Sequence, residues 1–85
     1  MVKSGLRKMN HQDIKKKLRE MSKAELRALF EKAELEDIEK DLLKYAYIYE
    51  RMVLNTCAKL NISESTYHRI LPIALIKIYY TLKFS

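Results

Sequence analysis

Residues 58–70 read Ala58-Lys59-Leu60-Asn61-Ile62-Ser63-Glu64-Ser65-Thr66-Tyr67-His68-Arg69-Ile70. This stretch contains the end of one short helix, a turn and the start of another. The first helix runs from Met52 to Leu60, with Val53, Cys57 and Leu60 facing inward. Asn61 tolerates the left-handed conformation that commonly follows a helix end. Ile62 plugs the corner, and Ser63 or Ser65 caps the helix that follows. Two short helices crossing steeply need a small residue where they approach, which Cys57 or Ala58 supplies. The second helix buries Tyr67 and Ile70 and leaves Glu64, Ser65, Thr66, His68 and Arg69 exposed on its first turns.

Working towards the N-terminus, Leu42 and Tyr45 continue an apolar stripe begun at Ile38, which predicts a helix through Ala46. The acidic run Glu34 to Asp37 suits the start of that helix, because carboxylates favour the positive end of the dipole. Ser22-Lys23-Ala24-Glu25 is a capping-box pattern opening a helix striped with Leu26, Leu29, Phe30 and Ala33. No Gly or Pro divides these two helices, but the drift of Leu29, Phe30, Ala33, Leu35 and Ile38 around the cylinder argues for a break. Asn10 caps a first helix carrying Ile14, Leu18 and Met21 on one face. Residues 1–9, which contain Ser4-Gly5 and no apolar period, read as a flexible basic arm.

Towards the C-terminus, Pro72 removes a helical hydrogen bond at a cost of roughly 3 kcal/mol, so the helix is expected to kink or restart there. A last helix from Ile73 to Leu82 is apolar on most faces. The chain is therefore expected to be all-α. Residues 10–85 form a single domain of about five to six short helices, with the paired-helix motif at about 52–71.

The motif resembles the turn and recognition helix of sigma-factor region-4 domains and related small phage-type transcription regulators, a helix-turn-helix. The usual pattern there is a small residue, a charged pair, Leu, Gly or Asn, Ile or Val, Ser, then Ser/Thr-rich residues, an apolar or aromatic residue and an Arg. Leu42-Leu43-Lys44-Tyr45-Ala46-Tyr47 is similar to the helix preceding the motif, and the resemblance extends over about residues 36 to 79. The chain departs from the pattern at Thr56, where an aliphatic residue is usual, between Tyr49 and Met52, where a glycine is common, and at Pro72.

Composition narrows the choice of function. The 85 residues are 48% hydrophobic with one Gly and one Pro, which leaves little room for β-turns. The net charge is +6 and it is unevenly placed. Residues 1–19 set Lys3, Arg7, Lys8, Lys15, Lys16, Lys17 and Arg19 against Asp13 alone, residues 20–50 are acidic, and residues 51–85 set five cations against Glu64. Basic ends of this kind attract phosphate backbones without sequence preference. Cys57 stands alone, which permits no internal disulfide and suits a reducing cytoplasm. The apolar run Ile70 to Leu82 is interrupted by Pro72 and Lys77 and is too short to span a bilayer. With His11 and His68 as the only histidines and no acidic cluster at ligand spacing, no metal site or other cofactor is expected. No Gly-rich phosphate loop, paired carboxylates or triad-like spacing points to an enzyme.

The expectation is a DNA-binding transcriptional regulator of phage or mobile-element type, acting on double-stranded DNA. Ser65, Thr66, His68 and Arg69 would enter the major groove, where short hydrogen-bonding groups and a forked arginine read base edges, and Ser63 and Glu64 are counted with them as DNA-binding residues. Lys59, Lys15, Lys16 and Arg19 would hold phosphates. The broad apolar C-terminal helix suggests a homodimer. The alternative is a small helical adaptor or inhibitor of a host protein such as RNA polymerase.

Overall fold

The computed structural model describes residues 10–84, all of whose regular structure is helical. The expected basic arm over residues 1–9 lies outside the described residues. Five α-helices follow one another: α1 (His11–Glu20), α2 (Lys23–Lys32), α3 (Asp37–Leu43), α4 (Val53–Leu60) and α5 (Glu64–Phe84). A π-helical segment, Lys44–Ile48, extends α3 by one wide turn.

The first two helices begin where their local chemistry places them. Asn10 Oδ1 accepts from the Asp13 amide at 2.8 Å while Asp13 returns an acceptor to the Asn10 amide. Ser22 and Glu25 repeat the exchange at α2, satisfying amides that the first turn of a helix leaves free. The break between α2 and α3 falls at Ala33 to Glu36, as the drift of the apolar residues predicts. At the start of α3 the carboxylate of Glu39 accepts from the Glu36 amide at 2.8 Å.

One buried cluster unites the helices. Ile14 and Leu18 come from α1, Leu26, Leu29 and Phe30 from α2, Leu42 and Leu43 from α3, and Tyr67, Leu71, Leu75 and Ile78 from α5. The helix α5 is the spine, packing against each of the other four.

The expected restart at Pro72 does not occur: α5 is a single helix of 21 residues with Pro72 inside it. The missing hydrogen bond costs roughly 3 kcal/mol. Against it stand Leu71, Ala74, Leu75 and Ile78, all buried on either side of the proline. Each large apolar side chain among them contributes about 1.5–3 kcal/mol when removed from water. Burial wins, and the continuous helix keeps those residues in one register against α1 and α3.

The π-helical segment was not foreseen. Its widened turn ends with Tyr49 donating to the Lys44 carbonyl and Arg51 to the Tyr45 carbonyl, at 2.9 and 2.8 Å. Between them Glu50 takes a left-handed conformation, φ 54°. A non-glycine residue here adopts the left-handed geometry that glycine takes at least cost. Lys23 holds it in place, donating to the Ile48 carbonyl at 2.6 Å and to Glu50 Oε2 at 2.9 Å.

Candidate nucleic-acid interface

The joint between α4 and α5 is built locally. Asn61 sits at φ 58°, ψ 48°, and the Ile62 amide reaches back to the Cys57 carbonyl at 3.0 Å while Asn61 bonds Ala58. This pair of bonds is a Schellman closure, which uses up carbonyls that the helix end would leave unpaired. Ile62 is half-buried against the core. Of the two small residues considered for the close approach, Cys57 is buried and Ala58 is exposed.

Ser63 Oγ accepts from the Thr66 amide at 3.1 Å, so Ser63 rather than Ser65 caps α5. The same hydroxyl donates to Thr66 Oγ1 at 3.0 Å. Thr66 is thereby engaged in the cap and half-buried, whereas Glu64, Ser65, His68 and Arg69 are exposed. Ser65, His68 and Arg69 fall three and four residues apart, which puts them on one side of the helix. Tyr67, on the opposite side, is buried, and its ring meets that of His68 edge-on at 5.2 Å. Burial pushes the Tyr67 hydroxyl above its ordinary pKa, with Cys57 acting in the same direction. Lys59 is exposed in the last turn of α4.

An open groove of about 690 Å³ runs beside this face. Lys15 and Arg19 line it from α1, Tyr47 from the π-helical segment, Arg51 from the turn before α4, and Tyr67 and His68 from α5. The structure therefore brings two of the three basic residues expected from the first helix next to the start of α5. Lys16, one residue from Lys15, is exposed but does not line the groove. Burial raises the Tyr47 hydroxyl above its usual pKa, and the nearby Arg19 opposes that shift. Among the described residues, no carboxylate lies within ion-pairing distance of Lys15, Arg19, Arg51 or His68. Glu50 also borders the groove, but it is held by Lys23.

Arg51 and Tyr47 were not singled out in the sequence. For Arg51 a signal was present. A cation just before a helix start opposes the dipole, and α4 has no side-chain cap to offset it. Tyr47 gave no comparable sign, because its position depends on the π turn.

Among the described residues no helix is long and apolar enough to cross a membrane, and no three His, Cys, Asp or Glu side chains cluster as metal ligands would. No curated protein and no solved structure matches the chain. One family does match, over residues 3–78, so that the chain belongs to the family described as protein of unknown function (DUF1492).

Proposed function

We propose that this protein is a DNA-binding transcriptional regulator that reads double-stranded DNA with a helix-turn-helix of the sigma-factor region-4 type. The helices α4 and α5 are its two arms. The observation that carries the reading is the exposed face at the start of α5, where Ser65, His68 and Arg69 stand together beyond a left-handed Asn61 turn. Side chains of this kind at the N-terminal end of a second motif helix suit the major groove, with Arg69 able to fork onto guanine. Glu64 adds an acceptor for a cytosine amino group. Ser63 and Thr66 order the first turn through the cap, and Lys59 meets the backbone.

A homodimer fits the same reading. Ile73, Ile76, Tyr80 and Phe84 remain 45–73% exposed along one side of α5. The Tyr80 and Phe84 rings are stacked, 6.2 Å apart and 10° from parallel. A second copy covering this stripe would present two α5 starts to a palindromic site. The same stripe favours the alternative, an adaptor docking on a protein such as RNA polymerase.

The test is fluorescence anisotropy on random duplex DNA over a range of salt, for the wild type and Arg69→Ala. Binding that falls with salt and weakens in the variant is expected. Equal binding by the two would remove α5 from the interface, and no binding at about 50 mM salt would remove DNA altogether. Sedimentation of the wild type and Ile76→Glu separates dimer from monomer.

A further inference from the structure

The groove between α1 and α5 presents an imbalance of charge. Lys15 and Arg19 are one helical turn apart on α1, Arg51 precedes α4, and His68 belongs to the exposed face of α5. Lys23 and Glu50 also line the groove, but they pair with each other at 2.9 Å, so their charges offset. Among the described residues, Lys15, Arg19, Arg51 and His68 have no carboxylate within ion-pairing distance. With Glu50 offset by Lys23, the lining keeps the net positive charge of Lys15, Arg19 and Arg51 with His68 beside them, which raises the local potential and attracts an entering anion. The two arginines suit a phosphoryl group in particular, because a planar guanidinium donates to two oxygens at once.

We infer that this groove is a phosphate-binding site, and that its occupant in the cell is a backbone phosphodiester of the duplex that α5 reads. The inference deepens the DNA-binding reading and rests on it for the source of the phosphate. His68 belongs both to the groove and to the exposed face of α5, so a strand crossing that face has a phosphate within reach of the groove. In this arrangement α1 does more than complete the core. Its buried face, Ile14 and Leu18, fixes the helix against α5, and its Lys15 and Arg19 side anchors the strand. The contact carries register and affinity but no sequence information.

Two measurements test it on the full chain. The first is a titration with inorganic phosphate followed by amide chemical shifts. Saturable shifts are expected at Arg19, Arg51 and Val53, and they should disappear in Arg19→Ala/Arg51→Ala while the helical circular dichroism is retained. The second is the salt dependence of duplex binding. The double variant should lower the slope of log K against log salt by about 1–2, with each lost phosphate contact worth about 0.9. Its ranking of different DNA sequences should stay unchanged, whereas Arg69→Ala should alter that ranking. Phosphate shifts in a protein that does not bind duplex DNA would keep the anion site, sink the DNA reading and make a free phosphoryl compound the ligand. Duplex binding with an unchanged slope, together with no saturable phosphate shifts, would overturn the groove site and leave the DNA reading standing. Should the double variant fail to fold, Arg19→Gln/Arg51→Gln keeps the side-chain volume and removes the charge, with the same outcomes.

Discussion

Lys77 Nζ lies 2.8 and 3.1 Å from the two carboxylate oxygens of Glu39, tying α5 to α3 from a point just beyond Pro72. The Glu39 side chain is only 8% exposed, the Lys77 side chain 35%. The carboxylate also accepts from the Glu36 amide, so one residue starts α3 and fastens the long helix to it.

Removing one partner of a buried pair leaves the other charge uncompensated, at about 3–5 kcal/mol when both are buried. Because Lys77 is partly solvated, Lys77→Met should cost about 2 kcal/mol in urea unfolding. Glu39→Gln/Lys77→Met removes both charges and keeps an acceptor for Glu36. It should be more stable than Lys77→Met alone, and a double variant weaker than the single would show that the pair is not what the single variant lost.

Thr56 is fully buried in α4, and its hydroxyl has no hydrogen-bond partner among the described residues. A buried hydroxyl without a partner costs about 1–3 kcal/mol, and valine has the same shape. Thr56→Val should raise stability by about 1 kcal/mol with an unchanged urea m-value. A loss of stability would mean that the hydroxyl has a partner in solution.

Glu50 couples backbone strain to an exposed ion pair. Its hydrogen bond to Lys23, and then the lysine charge, hold the carboxyl below its ordinary pKa. A carboxylate with a depressed folded pKa contributes stability above the ordinary carboxylate range, and that contribution is lost as pH falls through the folded value. The pair is open to water, so the effect should be small and salt-sensitive. Glu50→Gln should flatten the acid limb of a Tm-against-pH curve at low salt. Glu50→Gly should raise Tm, since it relieves the left-handed residue and forfeits only a screened pair.

Tyr47 and Tyr67 behave in the opposite sense at high pH. Burial raises both hydroxyls above the ordinary value of 10.0. The unfolded chain then ionises first, so stability should fall as pH rises past about 10. Tyr47→Phe/Tyr67→Phe should move the base-induced unfolding midpoint upward, and an unmoved midpoint would assign it to other groups.

Much of the fold was legible because its signals are local. Asn10 with Asp13 and Ser22 with Glu25 exchange hydrogen bonds across three residues, and Asn61 closes α4 through its own dihedral angles. The stripe Leu26, Leu29, Phe30 and Ala33 is buried as its spacing demands. The exposed side of α5 was readable for the same reason, because a capped helix with Tyr67 inward leaves Ser65, His68 and Arg69 outward.

The amino-acid order by itself determined an all-helical chain, the starts of its first two helices, the break before α3 and the turn at Asn61. These depend on bonds and steric preferences within a few residues. Tertiary structure decided the rest: the continuity of α5 across Pro72, the π-helical turn that brings Tyr47 to the groove, the pairing of Glu39 with Lys77, and the convergence of Lys15, Arg19, Arg51 and His68. Each depends on residues far apart in the chain. Pro72 shows why local rules lose there: a deficit of one hydrogen bond is outweighed when the helix around it removes several large apolar side chains from water.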